Sequence, residues 1–403
     1  MSRLEELIKE LCPNGVEYVT LDSVLKYEQP TKYIVKNTNY SDEYKTPVLT
    51  AGQTFILGYT NETDGIYTAT KENPVIIFDD FTTAFKWVDF IFKVKSSAMK
   101  LLTSKDNNIA NIRYLYHVMS TIQYIPVAHS RQWIGTYSQF TIPLPPLPVQ
   151  EEIVRILDNF TELTTELTTE LTTELTARKK QYEYYRDELY GKNYDEMISR
   201  CKSNNIELAT LEEVGEFIRG KRFVRNDIQD GGIPCIHYGD LYTHYGVSAT
   251  KTKYFLNKNL ENKMRYAEKG DVVIVQAGEN DMDIGIGVAW LGNEKVAVHD
   301  ACYIYKHKLN PQYVSHYLRT NIYHLQIKKF VSTGKICSVS ANGIGRALLP
   351  IPSLEEQERI ANVLDRFDKL CNDISEGLPA EIEARKKQYE YYRDKLLTFK
   401  EAV

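Results

Sequence analysis

Apolar positions set the first expectation. From Val149 they recur as Ile153, Ile156, Phe160, Leu163 and Leu167, in alternating steps of four and three. That spacing draws one stripe along a helix and is the seam of a coiled coil. The stripe continues at Leu171 and Leu175, spaced by four, and then at Tyr182, Tyr185 and Leu189. A second stripe runs through Ile360, Val363, Phe367, Leu370, Ile374, Leu378, Ile382, Tyr389, Tyr392 and Leu396, and each member lies 207 positions after one of the first. Two helices are predicted, over about 150–189 and about 357–397, each roughly 60 Å long at 1.5 Å per residue. Elsewhere, strand-like runs such as PVIIF at 74–78 and GDVVIVQ at 270–276 alternate with helical stretches at 110–122 and 311–329. The periods read as mixed α/β domains. MSRLEELIKELCPNG at the start reads as a short amphipathic helix closed by a turn, unlike the apolar core of a secretory signal.

The chain is written twice. QEEIVRILDNF at 150–160 answers QERIANVLDRF at 357–367, and ARKKQYEYYRDEL at 177–189 recurs as ARKKQYEYYRDKL at 384–396 with one change. VEYVTLDSV at 16–24 is echoed by IELATLEEV at 206–214, and IPLPPL at 142–147 by LPIPSL at 349–354. Proline fixes its own backbone angle and turns its predecessor away from helix, so each proline-rich hinge marks a domain boundary followed by a helix start. The order is globular segment, hinge, long helix, and the same again: 1–148, 149–200, 201–352 and 353–403. The globular segments themselves diverge almost completely. Between the echoes of the first helix lies TELTTELTTELTTELT at 161–176. Each unit adds about 6 Å of helix and turns its stripe by roughly 40°, so the segment is a spacer whose length changes in discrete steps. Thr forms helix poorly, and packing must hold it. Gly377 and Pro379 predict a kink or break in the second helix.

Composition narrows the class. With 403 residues, 43% apolar and 26% charged, the chain is long enough for two or three globular domains. The formal charge is -5, but residues 1–148 carry 14 Lys+Arg against 15 Asp+Glu while 205–352 carry 18 against 15. Net charge averages over faces and leaves room for a basic cleft. Six cysteines form no CxxC pair and have no metal-ligand spacing, which predicts reduced buried thiols, no metal and a cytoplasmic location. No apolar run approaches the roughly 18 residues of a membrane span.

Two like halves pair most simply about a pseudo-twofold axis, which makes the helices antiparallel and sends two globular domains to opposite ends. Duplex DNA has local twofold axes too, so such a bar can set two readers on half-sites at a fixed separation. Readers that differ in sequence imply a bipartite, asymmetric target. Catalytic signatures are missing: there is no P-loop and no Asn/Asp-Pro-Pro-aromatic motif, GIGVAW at 285–290 reads as a tight turn between strands, and ENDMDIG at 279–285 as a solvated loop.

The hinge junctions PLPPLPVQEEI and PIPSLEEQERI, the ARKKQYEYYRD tails, the short tandem repeat in the central helix and the opening LCPNGVEYVTL resemble the specificity subunit of a Type I restriction-modification system, over nearly the whole chain. The resemblance implies an α+β fold with two target-recognition domains separated by two long antiparallel coiled-coil helices. It implies a non-catalytic DNA-binding subunit that reads a split site and docks two methyltransferase subunits and, through them, restriction/translocase subunits. S-adenosylmethionine, ATP and Mg would belong to those partners. The rival readings are a free-standing nuclease with a dimer-like scaffold and a DNA-binding or purely protein-binding scaffold.

Sequence readout calls on Arg, Lys, Asn, Gln, Ser and Thr at base edges and on cations at phosphates. The densest candidate is RGKRFVRND at 219–227, with Arg219, Lys221, Arg222 and Arg225. STGKICSVSANG at 332–343 offers Lys335, and its positional counterpart AHSRQWIGTYSQF at 128–140 offers His129, Arg131 and Gln132. Lys45, Lys71 and Lys86 complete the set. HYGDLYTHYG at 237–246 reads as a Tyr-lined domain interior. On the helices, Tyr182, Tyr184, Tyr185, Tyr389, Tyr391 and Tyr392 carry more aromatic area than one seam buries, which points to partner docking as well as to the seam formed with Phe160, Leu163, Leu167, Leu171, Leu175, Phe367, Leu370, Ile374, Leu378 and Ile382.

Overall fold

A computed structural model describes residues 2–50, 54–126, 130–373 and 376–402. The chain divides into two compact units, Met1–Leu167 with Ala384–Val403, and Thr168–Glu383.

The first unit opens with helix α1 (Arg3–Leu11), started by a Ser2/Glu5 capping box. Strand β1 (Glu17–Thr20), one turn of helix α2 (Leu21–Val24) and β2 (Leu25–Glu28) follow, then β3 (Thr46–Leu49), β4 (Ile56–Thr60), β5 (Tyr67–Thr68), β6 (Val75–Asp79), β7 (Phe85–Val88), β8 (Ile91–Val94) and β9 (Met99–Ser104). Two four-stranded sheets result, ordered β2-β9-β6-β7 and β4-β3-β8-β5. The fully buried run Val75–Asp79 explains why PVIIF shows no alternation: both faces of β6 are covered. Helix α3 (Ile112–Met119) and strand β10 (Thr141–Leu144) close the unit, β10 pairing with β1 from Thr20↔Thr141 to Glu17↔Leu144. The C-terminal tail returns to this unit. Val16 donates to Lys400 O at 2.9 Å, Ala402 donates back to Val16 O at 2.9 Å, and Tyr18 Oη donates to Phe399 O at 2.9 Å. Gly15, at φ 102, admits that tail, since a Cβ there would lie 2.5 Å from Lys400 O.

Helix α4 (Leu147–Tyr190) belongs to the first unit through Leu167 and to the second beyond it. The second unit continues with α5 (Tyr194–Ser203), β11 (Glu207–Thr210), α6 (Leu211–Val214), β12 (Gly215–Arg219), β13 (Ile228–Gln229), β14 (Ile233–Ile236), α7 (Asp240–Thr243), β15 (Ser248–Ala249), β16 (Tyr254–Leu256), β17 (Tyr266–Ala267), β18 (Val272–Val275), β19 (Ala277–Gly278), β20 (Gly287–Trp290), β21 (Val296–Val298) and β22 (Cys302–His307). After α8 (Pro311–Tyr317) and α9 (Asn321–Ile327) come β23 (Cys337–Ser338), α10 (Ala341–Gly345), β24 (Leu348–Ile351), α11 (Leu354–Asn372) and α12 (Leu378–Leu396). The main sheet is ordered β12-β22-β18-β20-β15, and β11–β24 repeats the β1–β10 ladder. GIGVAW is mostly strand β20, and the turn is confined to Gly285 at φ 88. ENDMDIG holds a 3-10 turn over Asp281–Asp283. In HYGDLYTHYG, Leu241 is buried and Tyr238, Tyr242 and Tyr245 pack on the core.

α11 ends at Asn372 and α12 begins at Leu378, so the second helix breaks beside Gly377 and Pro379. Within the first unit, Phe160 on α4 meets Tyr392 on α12 with ring centroids 5.8 Å apart, and Thr161 Oγ1 lies 3.0 Å from Tyr389 Oη. A crevice of about 150 Å³ lined by Phe160, Leu163, Leu167, Arg385 and Tyr389 runs between them. Within the second unit Tyr185 on α4 packs on Phe367 of α11 at 5.7 Å. The contacts run antiparallel, but the seam is shallow. Leu163 is 63% exposed and Leu370 38%, while Cys371 beside it is fully buried. A four-residue repeat turns about 40° per unit, so a line of Leu cannot stay on one seam. Leu171 and Leu175 are half-buried, Leu378 is buried, and Ile382 is half-buried. Ile374 lies outside the described residues.

Candidate nucleic-acid interface and the joints that carry it

The two units are fastened to their helices by the same set of bonds. In the first, Asn111 caps α3, its side chain accepting from the amides of Arg113 and Tyr114 at 2.8 and 3.2 Å. Buried Gln150 accepts from Asn111 N at 2.8 Å and donates to Pro145 O at 2.7 Å. Tyr114 Oη donates to Pro143 O at 2.9 Å, and His117 Nε2 lies 2.9 Å from Asp158 Oδ1. In the second, Asn310 caps α8 through Gln312 and Tyr313, and Gln357 accepts from Asn310 N at 2.9 Å and donates to Pro352 O at 2.8 Å. Tyr313 Oη donates to Pro350 O at 2.9 Å, and His316 Nε2 lies 2.8 Å from Asp365 Oδ1. The hinge carbonyls are therefore satisfied by a buried amide and a phenol that each half supplies in the same place. Burial raises the Asp158 pKa, but bonds from His117 and Arg113 more than offset it and hold the carboxyl below its usual range.

The joints also differ. His316 is fully buried and its Nδ1 lies 2.9 Å from Tyr182 Oη, so Tyr182 faces the second unit's core where the apolar spacing placed it on the helix seam. Its 207-offset partner Tyr389 meets Thr161 instead. Burial lowers the His316 pKa despite its bond to Asp365. Tyr184, Tyr185, Tyr391 and Tyr392 remain 54, 41, 62 and 39% exposed.

Away from the joints, one end of the main sheet in the second unit gathers its predicted DNA contacts, and the matching end of the first unit holds Arg131 and Gln132 while Lys71 and Lys45 lie elsewhere. In the second unit this end comprises the close of β12, the start of β22 and the close of β18. Gly220 donates to Cys302 O at 3.0 Å, and a Cβ there would lie 2.2 Å from His299 O, so only glycine lets the chain turn so close. Lys221 N donates to Val298 O at 2.9 Å, and Phe223, 3% exposed, packs edge-on against His299 at 4.9 Å. That anchor leaves Lys221, Arg222 and Arg225 exposed, with no ion-pair partner among the described residues. Arg219 is tethered, its Nε donating to Asp300 O at 2.9 Å. Arg265 joins them, its Nη1 donating to Arg219 O at 2.6 Å. The loop carrying Lys335 reaches the same end: β23 pairs with β19, and Val339 N donates to Gln276 O at 3.0 Å. Two stretches about 110 positions apart in sequence thus converge. Arg265 carries no local signal, because only the fold brings it to Arg219.

In the first unit the matching end holds Asp80, just past β6. Asp80 is fully buried. Its Oδ1 accepts from Trp133 N at 2.9 Å, and its Oδ2 lies 3.3 Å from Lys100 Nζ and 3.9 Å from Arg131 Nη1. Lys100 also donates to Gln29 Oε1 at 2.5 Å. Arg131 keeps a side chain 52% exposed. Gln132 is buried, accepting from Tyr124 Oη at 2.7 Å and donating to Ser130 O at 2.8 Å, which makes it a brace of the loop. Lys86 is exposed on edge strand β7. His129 lies outside the described residues. Lys71 is elsewhere: it lines a cleft of about 710 Å³ with Lys26, Trp87 and Arg113, at the opposite end of β6. Lys45 precedes β3 in the other sheet and is exposed.

Among the described residues no group of three or more His, Cys, Asp or Glu could hold a metal, and no helix is long and apolar enough to cross a membrane. The repeated joints and unlike sheet ends define a duplicated α+β fold, two β-rich units each tied to a long helix in the same way. Comparison with known proteins agrees: residues 13–177 and 203–384 match the Type I restriction modification DNA specificity domain, and the chain belongs to that family. It is similar to the Type I restriction enzyme EcoR124I/EcoR124II specificity subunit of Escherichia coli, with 41% identity over 99% of this chain and 98% of that one. A putative type I restriction enzyme specificity subunit of Haemophilus influenzae is 32% identical over 86% of each. Among solved structures, a chain from a study of complex assembly and conformational transition of the type I R-M system superposes with a TM-score of 0.63 at 16% identity, over 96% of this chain and 98% of that one. A specificity subunit of this family is not itself an enzyme and binds no cofactor.

Proposed function

We propose that the chain selects DNA for a Type I restriction-modification complex by reading a bipartite, asymmetric site, one half with each sheet end. The observation that carries this reading is the pairing of near-identical joints with sheet ends that gather cations from unrelated letters. Recognition domains at 1–148 and 201–352 would be spaced by the helical segments 149–200 and 353–403. The exposed tyrosines of α4 and α12 suit docking of two methyltransferase subunits, with restriction/translocase subunits joining through them in the cytoplasm. Methyl transfer from S-adenosylmethionine and ATP- and Mg-dependent translocation then belong to those partners, and this chain supplies the address.

The test is the spacer. Co-expression with a partner methyltransferase subunit, followed by genome-wide mapping of methylated bases, yields both half-sites and the gap. Deleting one TELT unit is expected to shorten the gap and leave both half-site sequences as they were, because about 6 Å of helix and no proposed reading residue is removed. A changed half-site would contradict the reading.

A further inference from the structure

Each unit carries a second sheet built on one parallel strand pair, within the order β13-β16-β14-β21-β17 in the second unit and β4-β3-β8-β5 in the first. In the second unit Ile236 of β14 lies opposite Val298 of β21, and His299 N donates to Ile236 O at 3.2 Å. In the first, Leu49 of β3 lies opposite Val94 of β8, and Lys95 N donates to Leu49 O at 2.9 Å. A further segment closes each frame alike: Lys221 N donates to Val298 O at 2.9 Å and Val35 N to Val94 O at 3.0 Å. The residues that leave these paired strands are His237 and His299 in the second unit, Thr50 and Lys95 in the first. The backbone frame is kept and the letters change, the pattern expected of positions that meet different half-sites.

His237 is half-buried and packs on Tyr238 and His299, with ring centroids 4.5 and 4.7 Å away. Gly239 N donates to its Nδ1 at 3.4 Å. A ring nitrogen that accepts carries no proton, so the neutral ring holds its proton on Nε2. Burial lowers the pKa of this ring, with Asp240 acting in the opposite sense, which keeps it neutral at pH 7. Among the described residues Nε2 has no hydrogen-bond partner, yet it reaches solvent, unlike the Nε2 of His307, which is buried without one. His299 forms the wall behind it: its side chain is 12% exposed and its Nδ1 accepts from Ala301 N at 3.1 Å. A histidine that only braces a core spends both nitrogens inside the protein. His237 spends one and turns a fixed donor outward.

The neighbouring chain explains what that donor faces. Phe223 packs on His299 and His237 at 4.9 and 6.1 Å, and it follows the exposed cations Lys221 and Arg222 directly. Phosphates are claimed by such cations, and a neutral donor adds little to them. A donor of fixed orientation instead separates base edges. In the major groove N7 of either purine, O6 of guanine and O4 of thymine accept, whereas N4 of cytosine and N6 of adenine donate and oppose it.

We propose that His237 is a specificity-determining residue, its Nε2–H donating to a base acceptor in the half-site read by the second unit while Lys221 and Arg222 hold the adjoining phosphates. The proposal rests on the specificity-subunit reading and adds to it a neutral reader that cation-rich motifs do not reveal.

His237→Asn and His237→Gln are made in the chain co-purified with a methyltransferase subunit. The Asn amide reaches only as far as Nδ1, and the Gln amide reaches the place of Nε2. Binding is measured to duplexes varied one base pair at a time across both half-sites. His237→Asn is expected to lower discrimination about tenfold at one or two base pairs of one half-site, the worth of one mismatched pair, with the other half-site unchanged. His237→Gln is expected to keep more of that discrimination than His237→Asn. Unchanged discrimination in His237→Asn would overturn the proposal. Equal loss in both variants would overturn it too, since the ring would then matter for packing alone. So would a uniform loss of affinity for every duplex, the mark of a phosphate contact. Failure of the underlying reading shows differently, as an unsubstituted complex without site preference.

Discussion

The joints and the sheet ends of this molecule follow opposite rules. Asn111, Tyr114 and His117 in one joint bond Gln150, Pro143 O and Asp158, and Asn310, Tyr313 and His316 in the other bond Gln357, Pro350 O and Asp365 in the same way. At the sheet ends the geometry recurs while the chemistry changes. Asp80 O accepts from the amide of Gln132 as Gln276 O accepts from that of Val339. Both Asp80 Oδ2 and Gln276 Oε1 are buried without a hydrogen bond, but the Asp80 oxygen carries charge and lies 3.3 Å from the Lys100 ammonium, whereas the Gln276 oxygen is neutral. Where a unit must fit its helix, the halves agree. At the sheet ends proposed to meet DNA, only the frame is kept, as two different half-sites would require.

Substitutions at those equivalent positions give the largest contrast. Asp80→Ala leaves the Lys100 ammonium buried without its counter-charge and is expected to cost about 3–5 kcal/mol. Gln276→Ala removes an oxygen that has no partner and is expected to cost no more than about 1 kcal/mol. Denaturant unfolding of the chain with each substitution checks both, and equal losses would erase the distinction.

Acid separates the units next. Burial depresses the pKa of His237, His299, His307, His316 and His324, all in the second unit, with His307 and His324 pushed down to about 4. The first unit contributes only His117 among its described residues. An unfolded histidine titrates near 6.5, so below that pH the unfolded chain binds more protons than the folded one. This stability is complete above about pH 6.5 and is lost as pH falls toward the folded values. Between pH 7 and pH 5, His307 and His324 each forfeit about 2 kcal/mol. Hydrogen exchange, corrected for its intrinsic pH dependence, is expected to show β18, β20 and β22 losing protection while β6 and β9 hold. Uniform loss would count against a difference between the units.

The architecture was legible in the sequence because it is periodic and duplicated. Apolar steps of four and three marked α4, the 207-residue echo marked its partner, and Gly377 with Pro379 marked the break between α11 and α12. The joints were legible in part, since Gln150, Asp158, Gln357 and Asp365 stand among the letters shared by the echo; their bonds needed the fold, because Asn111 and Asn310 lie far away in sequence. The sheet ends were least legible. Arg131 and Lys335 stood out as cations in counterpart loops, but Gln132 proved a buried brace, Lys71 belongs to a cleft at the far end of β6, and Arg265 reaches Arg219 only through tertiary contacts. Which side chains share a sheet end depends on where strands end, and local letters do not carry that information.

The most direct test of two independent readers is exchange of residues 1–148 for the equivalent segment of another family member, followed by mapping of methylated bases in the co-expressed complex. One half-site is expected to be replaced, with the other half-site and the gap unchanged. Alteration of both half-sites together, or a contiguous motif in place of a split one, would contradict the account.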